Sequence, residues 1–495
     1  MVKKNSNCIK TEKIMQFSKI RTKIHVLVIA LFILPAIPMA ANALPAFPGA
    51  MGWGSDTIGG RGGTVIKVTN LNDSGSGSLR AALTASGPRI VIFRVGGTIN
   101  LSSPIWVGNP YLTIAGQTAP GGGILIRGPN QQGGDGHPSI AIQTHDVIIR
   151  GLRIRDTGKS TIEVLGPSTN TYNVIIDHNS LSWSTDTITG NWGLWHHVTW
   201  SYNIISEGIY NDIGQSWGLS AGTLIGIGGA CTGADHLSMH HNLYIHNNER
   251  NLHINHPIPY FEWINNVVFD WRQYGLGSAS PGYYVGNLYV ATSGSMTNYD
   301  FFIGELGEGC PFPDASVYLA HNVNPHRPTD SGDEWLAVNG GSSSYRTNIP
   351  PYSLSGVTED DVTTIKSKLT ASNGAGAYVP SRDAVDVRVI NDVINGTPAD
   401  GSGNGWWFRD YNMPSPWPTI ASGTAPTDTD GDGMPNSWEN SHGLNPNDAS
   451  DANAIAASGY TNIEEYINSY FPAIGSPLPP PSALIPNPPS IIGVN

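Results

Sequence analysis

Six short segments decide the fold: VIIDHN (174–179), VTWSYN (198–203), LSMHHN (237–242), FEWINN (261–266), YYVGNL (283–288) and VYLAHN (317–322). Each is rich in β-branched and aromatic residues, which favour strands, and each is too short for a helix. Each also carries an asparagine, a residue that tolerates left-handed backbone geometry, at or near its end. A strand that stops repeatedly at the same kind of corner predicts a solenoid.

The spacing of these asparagines supports that prediction. Successive residues of the series Asn179, Asn203, Asn242, Asn266, Asn287 and Asn322 lie about 20–40 positions apart, which fits one β-helix coil with inserted loops. A side-chain amide both donates and accepts hydrogen bonds, so stacked asparagines can pair with one another in a buried turn. We therefore predict an all-β, right-handed single-stranded parallel β-helix. The alternative is an antiparallel sandwich, but hairpin turn dipeptides between the segments are scarce.

The N-terminus predicts export. Lys19, Arg21 and Lys23 precede the apolar run 26–41, which is followed by the small-x-small sequence Ala41-Asn42-Ala43. This pattern is typical of a secretory signal peptide cleaved after Ala43, with translation starting at Met1 or Met15. The run is short for a membrane span, so we expect a secreted protein with no membrane span after cleavage.

Charge and cysteine content limit the possible partners. The net charge is −12, and residues 1–43 hold seven of the 26 Lys and Arg and one of the 38 Asp and Glu residues, so the mature chain would carry −18. Such a surface repels nucleic acid. Cys231 and Cys310 could pair in an oxidising compartment or remain two unrelated loop thiols.

The rest of the chain divides by composition. We expect a signal peptide at 1–43, a β-helix at 44–330, a wrapping segment at 331–425, a small calcium-binding module at 426–471 and a Pro-rich tail at 472–495. A short helix is predicted at 78–85, where it would cap the solenoid. Two more are predicted at 358–372 and 382–395, from helical spacing and acidic starts.

The module at 426–471 contains a complete calcium-loop pattern. Asp428, Asp430, Asp432, Gly433 and Glu439 match D-x-[DN]-x-[DN]-G-x5-E. In this pattern the carboxylates and one carbonyl converge on a hard cation while the glycine permits a sharp turn. The loop resembles the calcium repeats of secreted carbohydrate-active proteins. Asp448 and Asp451, with Glu464 or Glu465, could hold a second ion.

Several ordered motifs resemble bacterial pectate lyases of the parallel β-helix type. They are AFPGAMGWG, IGGRGGTV, VTNLNDSGSGSLRAAL, LTIAGQTAPGGGI, VIIRGLRIR, IIDHNSLSWSTD and HHNLYIHNNERN, within residues 46–266. The resemblance implies that the protein cleaves polygalacturonate by calcium-assisted β-elimination, with an acidic plant-type polysaccharide as substrate. The remaining alternatives are a lyase for another uronic acid polymer and a non-catalytic carbohydrate-binding or structural β-helix.

The same resemblance assigns roles to particular residues. Asp177 would be a calcium ligand, Asp186 would be the first of two metal-binding Asp residues, and Arg250 would abstract the proton. His253 is a candidate substrate contact, Arg150 could line the same groove or pair with Asp177, and a monomer is expected. The chain departs from the family pattern at Gly190, where the second Asp would fall, and at Asn255, where the family has an arginine. Glu207 could replace the lost ligand.

Overall fold

The computed structural model describes residues 44–129, 137–209, 220–227, 231–305, 309–399 and 417–471. The predicted signal peptide and the predicted Pro-rich tail lie outside these ranges. In chain order the strands are β1 (Thr64–Val68), β2 (Arg89–Phe93), β3 (Gly97–Asn100), β4 (Ile105–Val107), β5 (Leu112–Ala115), β6 (Ile124–Arg127), β7 (Ile140–Ile142), β8 (Val147–Arg150), β9 (Arg153–Thr157), β10 (Ile162–Asp177), β11 (Ser180–Ser184), β12 (Thr187–Ser201), β13 (Ile204–Ser206), β14 (Ala221–Gly226), β15 (Asp235–His240), β16 (Leu243–Ile245), β17 (Leu252–Ile254), β18 (Phe261–Ile264), β19 (Val267–Phe269), β20 (Leu276–Ser278), β21 (Gly282–Val285), β22 (Leu288–Val290), β23 (Phe301–Ile303) and β24 (Val317–Ala320).

These strands form the predicted right-handed parallel β-helix, with three faces and parallel pairing between the named strands. The first face contains β4, β7, the start of β10, the start of β12, β14, β17, β20 and β23. The second contains β1, β2, β5, β8, the ends of β10 and β12, β15, β18, β21 and β24. The third is a separate sheet of β3, β6, β9, β11, β13, β16, β19 and β22.

The asparagine ladder lies at the turn between the second and third faces, as predicted. All six asparagines are fully buried. In the first five, the side-chain NH2 donates to the side-chain oxygen of the next asparagine, at 2.9–3.2 Å, across sequence separations of 24, 39, 24, 21 and 35 residues. The same oxygen accepts the backbone N–H of the preceding asparagine, so each amide joins two coils.

The left-handed residue of this turn stands one position earlier than expected. His178, Tyr202, His241, Asn265, Gly286 and His321 have φ between 51° and 65°. These positions repeat once per coil, so the rings found at neighbouring positions can stack. The ring centroids of His178 and Tyr202 are 4.9 Å apart, and those of Tyr202 and His241 are 4.8 Å apart. The asparagine therefore serves the turn by its hydrogen bonds, while its neighbour takes the unusual backbone conformation.

Within the described ranges, five α-helices cover the coils: α1 (Leu79–Thr84), α2 (Val362–Thr370), α3 (Ala384–Asn395), α4 (Asn436–His442) and α5 (Asn462–Asn468). The first three confirm the helices predicted from sequence. Helix α1 begins at Ser78, whose hydroxyl accepts the Ala81 N–H, and it buries Leu79 and Leu83 in the main core. Helices α2 and α3 pack their apolar sides against the third face.

Residues 426–471 also pack on the solenoid. Met434, Ile463 and Phe471 share a buried cluster with Ile90 and Ile92 of the second face. Lys67 donates to the Gly431 carbonyl at 2.7 Å. Cys231 and Cys310 form a disulfide with a Cα separation of 5.5 Å, which resolves the alternatives left open by the sequence. Among the described residues, no helix is long and apolar enough to cross a membrane.

Replacing one central asparagine tests the ladder. Asn242→Ala removes the acceptor of two Asn203 groups and the donor to the Trp200 carbonyl. Because these groups are buried, we expect the free energy of unfolding to fall by about 3 kcal/mol. Urea-induced unfolding measures the loss, and Asn348→Ala, at an exposed position, is the control. Equal stability of the two variants would contradict a structural role for the ladder.

Candidate active site

A groove of about 300 Å³ opens on the first face of the β-helix. Its walls include Lys159, Glu163, Asp186 and Gly190, together with the exposed aromatic side chains of Trp106 and Trp192. Along this face the outward positions of successive strands stand in register, so that Glu163 lies beside Gly190, Gly190 beside Leu224 and Leu224 beside His253. Residues far apart in sequence thus form one row, with neighbouring strands about 4.8 Å apart.

Two carboxylates, Glu163 and Asp186, line this groove. Glu163 accepts a hydrogen bond from the Ser160 hydroxyl at 2.7 Å and lies 3.6 Å from the Lys159 ammonium. Burial raises the pKa of Glu163, and the nearby Asp186 charge raises it further against the opposing effect of Lys159. Glu163 and Asp186 come from neighbouring coils and could share a divalent cation, which would relieve their repulsion.

Arg250 lies farther along the same face, beside a third carboxylate. It has a left-handed backbone with φ of 50°, and its Nε lies 3.5 Å from a Glu249 oxygen. Burial raises the pKa of Glu249; the Arg250 charge lowers it and the Asp186 charge raises it. The charge of Arg250 and the charge of Asp186 in the groove therefore both influence Glu249.

His253 and Tyr274 complete this part of the face. The Tyr274 hydroxyl and His253 Nδ1 are 3.0 Å apart. Burial and the Arg250 charge lower the pKa of His253 to about 4, so this imidazole is neutral at neutral pH. A neutral imidazole beside a guanidinium can exchange hydrogen bonds with a sugar hydroxyl without adding charge.

Asp177 and Arg150 lie elsewhere, which corrects the prediction that one groove holds all the site residues. Arg150 pairs with Asp177 in strand register, and its Nε donates to the carboxylate at 2.9 Å. His178 Nδ1 and the Ser201 hydroxyl also contact that carboxylate, at 2.6 and 2.8 Å. Burial raises the pKa of Asp177, but the His178 and Arg150 charges outweigh it and hold the pKa well below its usual range.

The separation follows from the path of the chain. Asp177 ends the part of β10 on the second face, whereas Asp186 comes after the asparagine turn and after β11 of the third face. The Asp177 side chain lines a different cavity, of about 510 Å³, together with Phe47 and Phe471. The eight residues between the two aspartates therefore span two corners of a coil and not one groove wall.

Gly190 and Glu207 also differ from what the sequence suggested. A Cβ atom at Gly190 would stand 2.5 Å from the Leu224 carbonyl oxygen, so an aspartate does not fit without movement of the backbone. Glu207 receives two hydrogen bonds from Arg388 and one from Trp183 on the side of the third face, and so does not replace a ligand in the groove. Glu163, which sequence reasoning missed, supplies a carboxylate next to Gly190.

The C-terminal acidic loop brings its predicted residues together. The carboxylates of Asp428, Asp430 and Asp432 lie within 4.8 Å of one another, and Asp432 lies equally close to Glu439 and Asp451. Both oxygens of the buried Glu439 lack a hydrogen-bond partner among the described residues, as do single oxygens of Asp430, Asp432 and Asp451. Buried, unpartnered oxygens that converge in this way fit a calcium ion.

The suggested second ion site is wrong. Asp451 joins the first cluster, while Glu464 caps α5 through Thr461 and pairs with Arg61 at 2.8 Å. Asp448 accepts hydrogen bonds from Ser450, and Glu465 accepts one from Ser458. Asp448, Glu464 and Glu465 therefore each have a hydrogen-bond or ion-pair partner within the protein.

Curated relatives match almost the whole chain. A probable pectate lyase C of Aspergillus terreus is 32% identical over 461 residues, which cover 90% of this chain and 98% of that protein. The chain belongs to the pectate lyase family. A probable pectate lyase C of Aspergillus fumigatus is 32% identical over 459 residues, 89% of this chain and 97% of that protein. These relatives are fungal, whereas the sequence motifs suggested the bacterial type.

Two solved structures align with about two thirds of the chain. The cedar pollen allergen Jun a 1 matches with a TM-score of 0.45 and 20% identity, over 64% of this chain and 90% of that chain. A pectate lyase bound to a hexasaccharide matches with a TM-score of 0.46 and 14% identity, over 68% and 99%. No known family model matches the sequence.

The acidic loop predicts a pH-dependent stability that calcium reverses. Burial and mutual repulsion raise the pKa of Asp432 from 3.8 to about 6 and that of Glu439 from 4.5 to about 7. A carboxyl group with a raised pKa holds more protons folded than unfolded, so its contribution to stability falls as the pH rises through this window. In the presence of a chelator, we expect the double variant Asp432→Asn/Glu439→Gln to lose less stability than the unsubstituted protein as the pH rises through the range of these pKa values.

Added calcium should abolish the fall in stability of the unsubstituted protein with rising pH, because the ion favours the ionised carboxylates. The doubly substituted protein should not respond to calcium in this way. Thermal unfolding with and without calcium measures both effects. Asp448→Asn, at an exposed position of the same module, is the control. A calcium response of equal size in the doubly substituted protein would contradict ion binding at this loop.

Proposed function

We propose that this pectate lyase family member is a secreted enzyme that cleaves polygalacturonate by calcium-assisted β-elimination. The observation that carries the proposal is the arrangement on the first face, where Glu163 and Asp186 line the groove from neighbouring coils and Arg250 and His253 lie together on the coil of β17. The family membership supports the reaction class. The N-terminal export pattern supports secretion.

Glu163 and Asp186 are proposed to hold the calcium ion of the groove. Their side chains come from adjacent coils and line the same groove, and the Asp186 charge raises the pKa of Glu163. Oxygen donors of this kind fit calcium better than a transition metal. When bound, calcium would neutralise substrate carboxylates and stabilise the charge that develops beside the reacting carbon. In this proposal Asp177 is a structural residue and no longer a ligand.

Arg250 is proposed to take the proton. In β-elimination the C–H bond α to the uronate carboxylate breaks, a carbon–carbon double bond forms, and the 4-linked sugar leaves with the bonding electron pair. The base must lie within hydrogen-bond reach of that hydrogen. Arginine serves as a base only if its surroundings favour the neutral form. His253 and Tyr274 would orient the sugar beside it.

The surface of the groove suits an acidic polysaccharide. Trp106 and Trp192 are 40% and 43% exposed, and such aromatic faces can pack against sugar rings. Lys159 and Arg250 provide local positive charge in a strongly acidic chain. We propose that these cations and calcium together offset the long-range repulsion of a polyanion.

The C-terminal loop is proposed to hold a second, structural calcium ion. Asp428, Asp430, Asp432, Glu439 and Asp451 would be its ligands. The loop shares a buried cluster with the first coils, so ion binding there would stabilise the solenoid and not the reacting groups.

Arg250 can be tested directly. Purified protein mixed with polygalacturonate should produce the ultraviolet absorbance of unsaturated uronides, and a chelator should abolish it. Arg250→Ala should lower kcat by roughly 10²- to 10⁴-fold, the range for loss of a general base. Arg346→Ala, a surface arginine paired with Asp333, should leave kcat unchanged.

Three outcomes would decide between the alternatives. Absorbance with another uronate polymer and none with polygalacturonate would identify a different lyase. Binding without any unsaturated product would favour a non-catalytic β-helix. Full activity of Arg250→Ala would contradict the assignment of the base and leave the reaction class intact.

Glu163→Gln tests the revised ligand set. Removing one carboxylate should raise the calcium concentration for half-maximal activity by roughly 10- to 100-fold, with a smaller effect on kcat at saturating calcium. Asp177→Asn should instead lower the unfolding temperature, because it weakens the pair with Arg150. A calcium requirement that shifts with Asp177→Asn and not with Glu163→Gln would overturn this assignment.

A further inference from the structure

A cluster of histidines lies at the turn between the first and second faces, apart from the residues used above. His196 and His197 belong to β12, and Asp235 begins β15 on the next coil. His196 and Asp235 are paired in strand register. One ligand atom from each of the three residues lies within 4.8 Å of the others.

The two imidazoles point their nitrogens at each other. His196 Nδ1 and His197 Nδ1 are 2.8 Å apart, which requires at least one unprotonated nitrogen with an available lone pair. An imidazole nitrogen with a free lone pair is the form that binds metals.

Stacked rings hold these side chains in place. The His196 ring is parallel to that of Tyr172 at 4.9 Å, and Tyr172 in turn stacks on His145 at 4.6 Å. The His197 ring stacks on His236 at 4.3 Å, and His236 stacks on Tyr260 at 4.1 Å. Rigid support of this kind lowers the entropic cost of binding an ion.

The carboxylate is held by a neighbouring histidine. Asp235 Oδ1 lies 2.6 Å from His236 Nδ1, and the Asp235 side chain is 43% exposed. Among the described residues His236 is the one ion-pair partner of Asp235. By contrast, in the similar cluster of His321, Asp330 and Glu334, Arg327 pairs with both carboxylates at 3.0 and 2.7 Å, so a protein cation already occupies it.

We propose that His196, His197 and Asp235 bind a divalent transition-metal ion of the zinc, cobalt or nickel class. Two imidazole nitrogens and one carboxylate suit these ions and not calcium, which prefers oxygen donors. Zn–N bonds of about 2.0–2.1 Å in a tetrahedral site place two nitrogens about 3.3 Å apart. The two Nδ1 atoms, now 2.8 Å apart, would therefore have to separate by only about 0.5 Å. Partial exposure of all three residues leaves room for water as a further ligand.

The site joins two successive coils at a turn that has no asparagine ladder. An ion bound there would stabilise the folded chain by mass action, independently of substrate. The proposal does not depend on the activity in the groove.

Titration with cobalt tests the site. Untagged full-length protein, saturated with calcium to occupy the oxygen-rich sites, is titrated with Co²⁺ while the visible absorption is recorded. Zn²⁺ is then added as a competitor. We expect one saturable equivalent with the spectrum of a nitrogen-ligated ion, loss of that spectrum on zinc addition, and a higher unfolding temperature with zinc.

Ring-preserving variants keep the test valid if smaller residues disturb the fold. His196→Phe and His197→Phe retain the stacking but remove the nitrogens, and the double variant should lose the cobalt spectrum and the zinc-induced rise in unfolding temperature. Asp235→Asn should weaken binding roughly 10- to 100-fold. His321→Phe, at an exposed histidine of the Arg327-paired cluster, is the matched control.

Two results would overturn the proposal. Unsubstituted protein that binds cobalt no more tightly than the double phenylalanine variant would show that the three residues form no site. Retention of the one-equivalent spectrum in that variant, or its loss in His321→Phe, would place the bound ion elsewhere.

Discussion

The buried asparagine ladder is the interaction on which the rest of the structure depends. A parallel solenoid must turn sharply inside a dry interior, where an unpaired backbone group costs about 1–3 kcal/mol. Each ladder amide satisfies the coil before it and the coil after it, for example where Asn203 donates to Asn242. The shared oxygen also fixes the register of neighbouring coils. Outward side chains of paired strands are consequently aligned with their counterparts on neighbouring coils.

That alignment explains the composition of the groove. Glu163, Gly190, Leu224 and His253 are neighbours because each holds the same outward position on its own coil. Function on such a scaffold depends on position within a coil more than on distance in sequence. Asp177 and Asp186 show the reverse case, since they are close in sequence but lie on different faces. Glu163 thus supplies a carboxylate beside Gly190, where the family pattern has an aspartate.

Local patterns in the sequence predicted much of the fold. The ladder, the helices over 79–84, 362–370 and 384–395, and the residues of the acidic loop each depend on a short motif with its own physical cause. Glu163 and Glu249 escaped detection, because their roles depend on which coil is stacked on which, and Asp451 was assigned to a separate ion instead of the first cluster. Alternation offered one usable signal: Glu163 lies between the inward Ile162 and Val164, so it must face outward on a strand.

The packing of residues 426–471 against β1 and β2 has a consequence for how the chain acquires its structure. The apolar surface of Ile90 and Ile92 finds its cover in Met434 and Ile463, which leave the ribosome more than three hundred residues later. The first coils therefore cannot bury this surface while the chain is still being made. Because its first coils need residues near the C-terminus to complete their packing, the chain stays incompletely folded during synthesis. An incompletely folded chain can pass through an export channel.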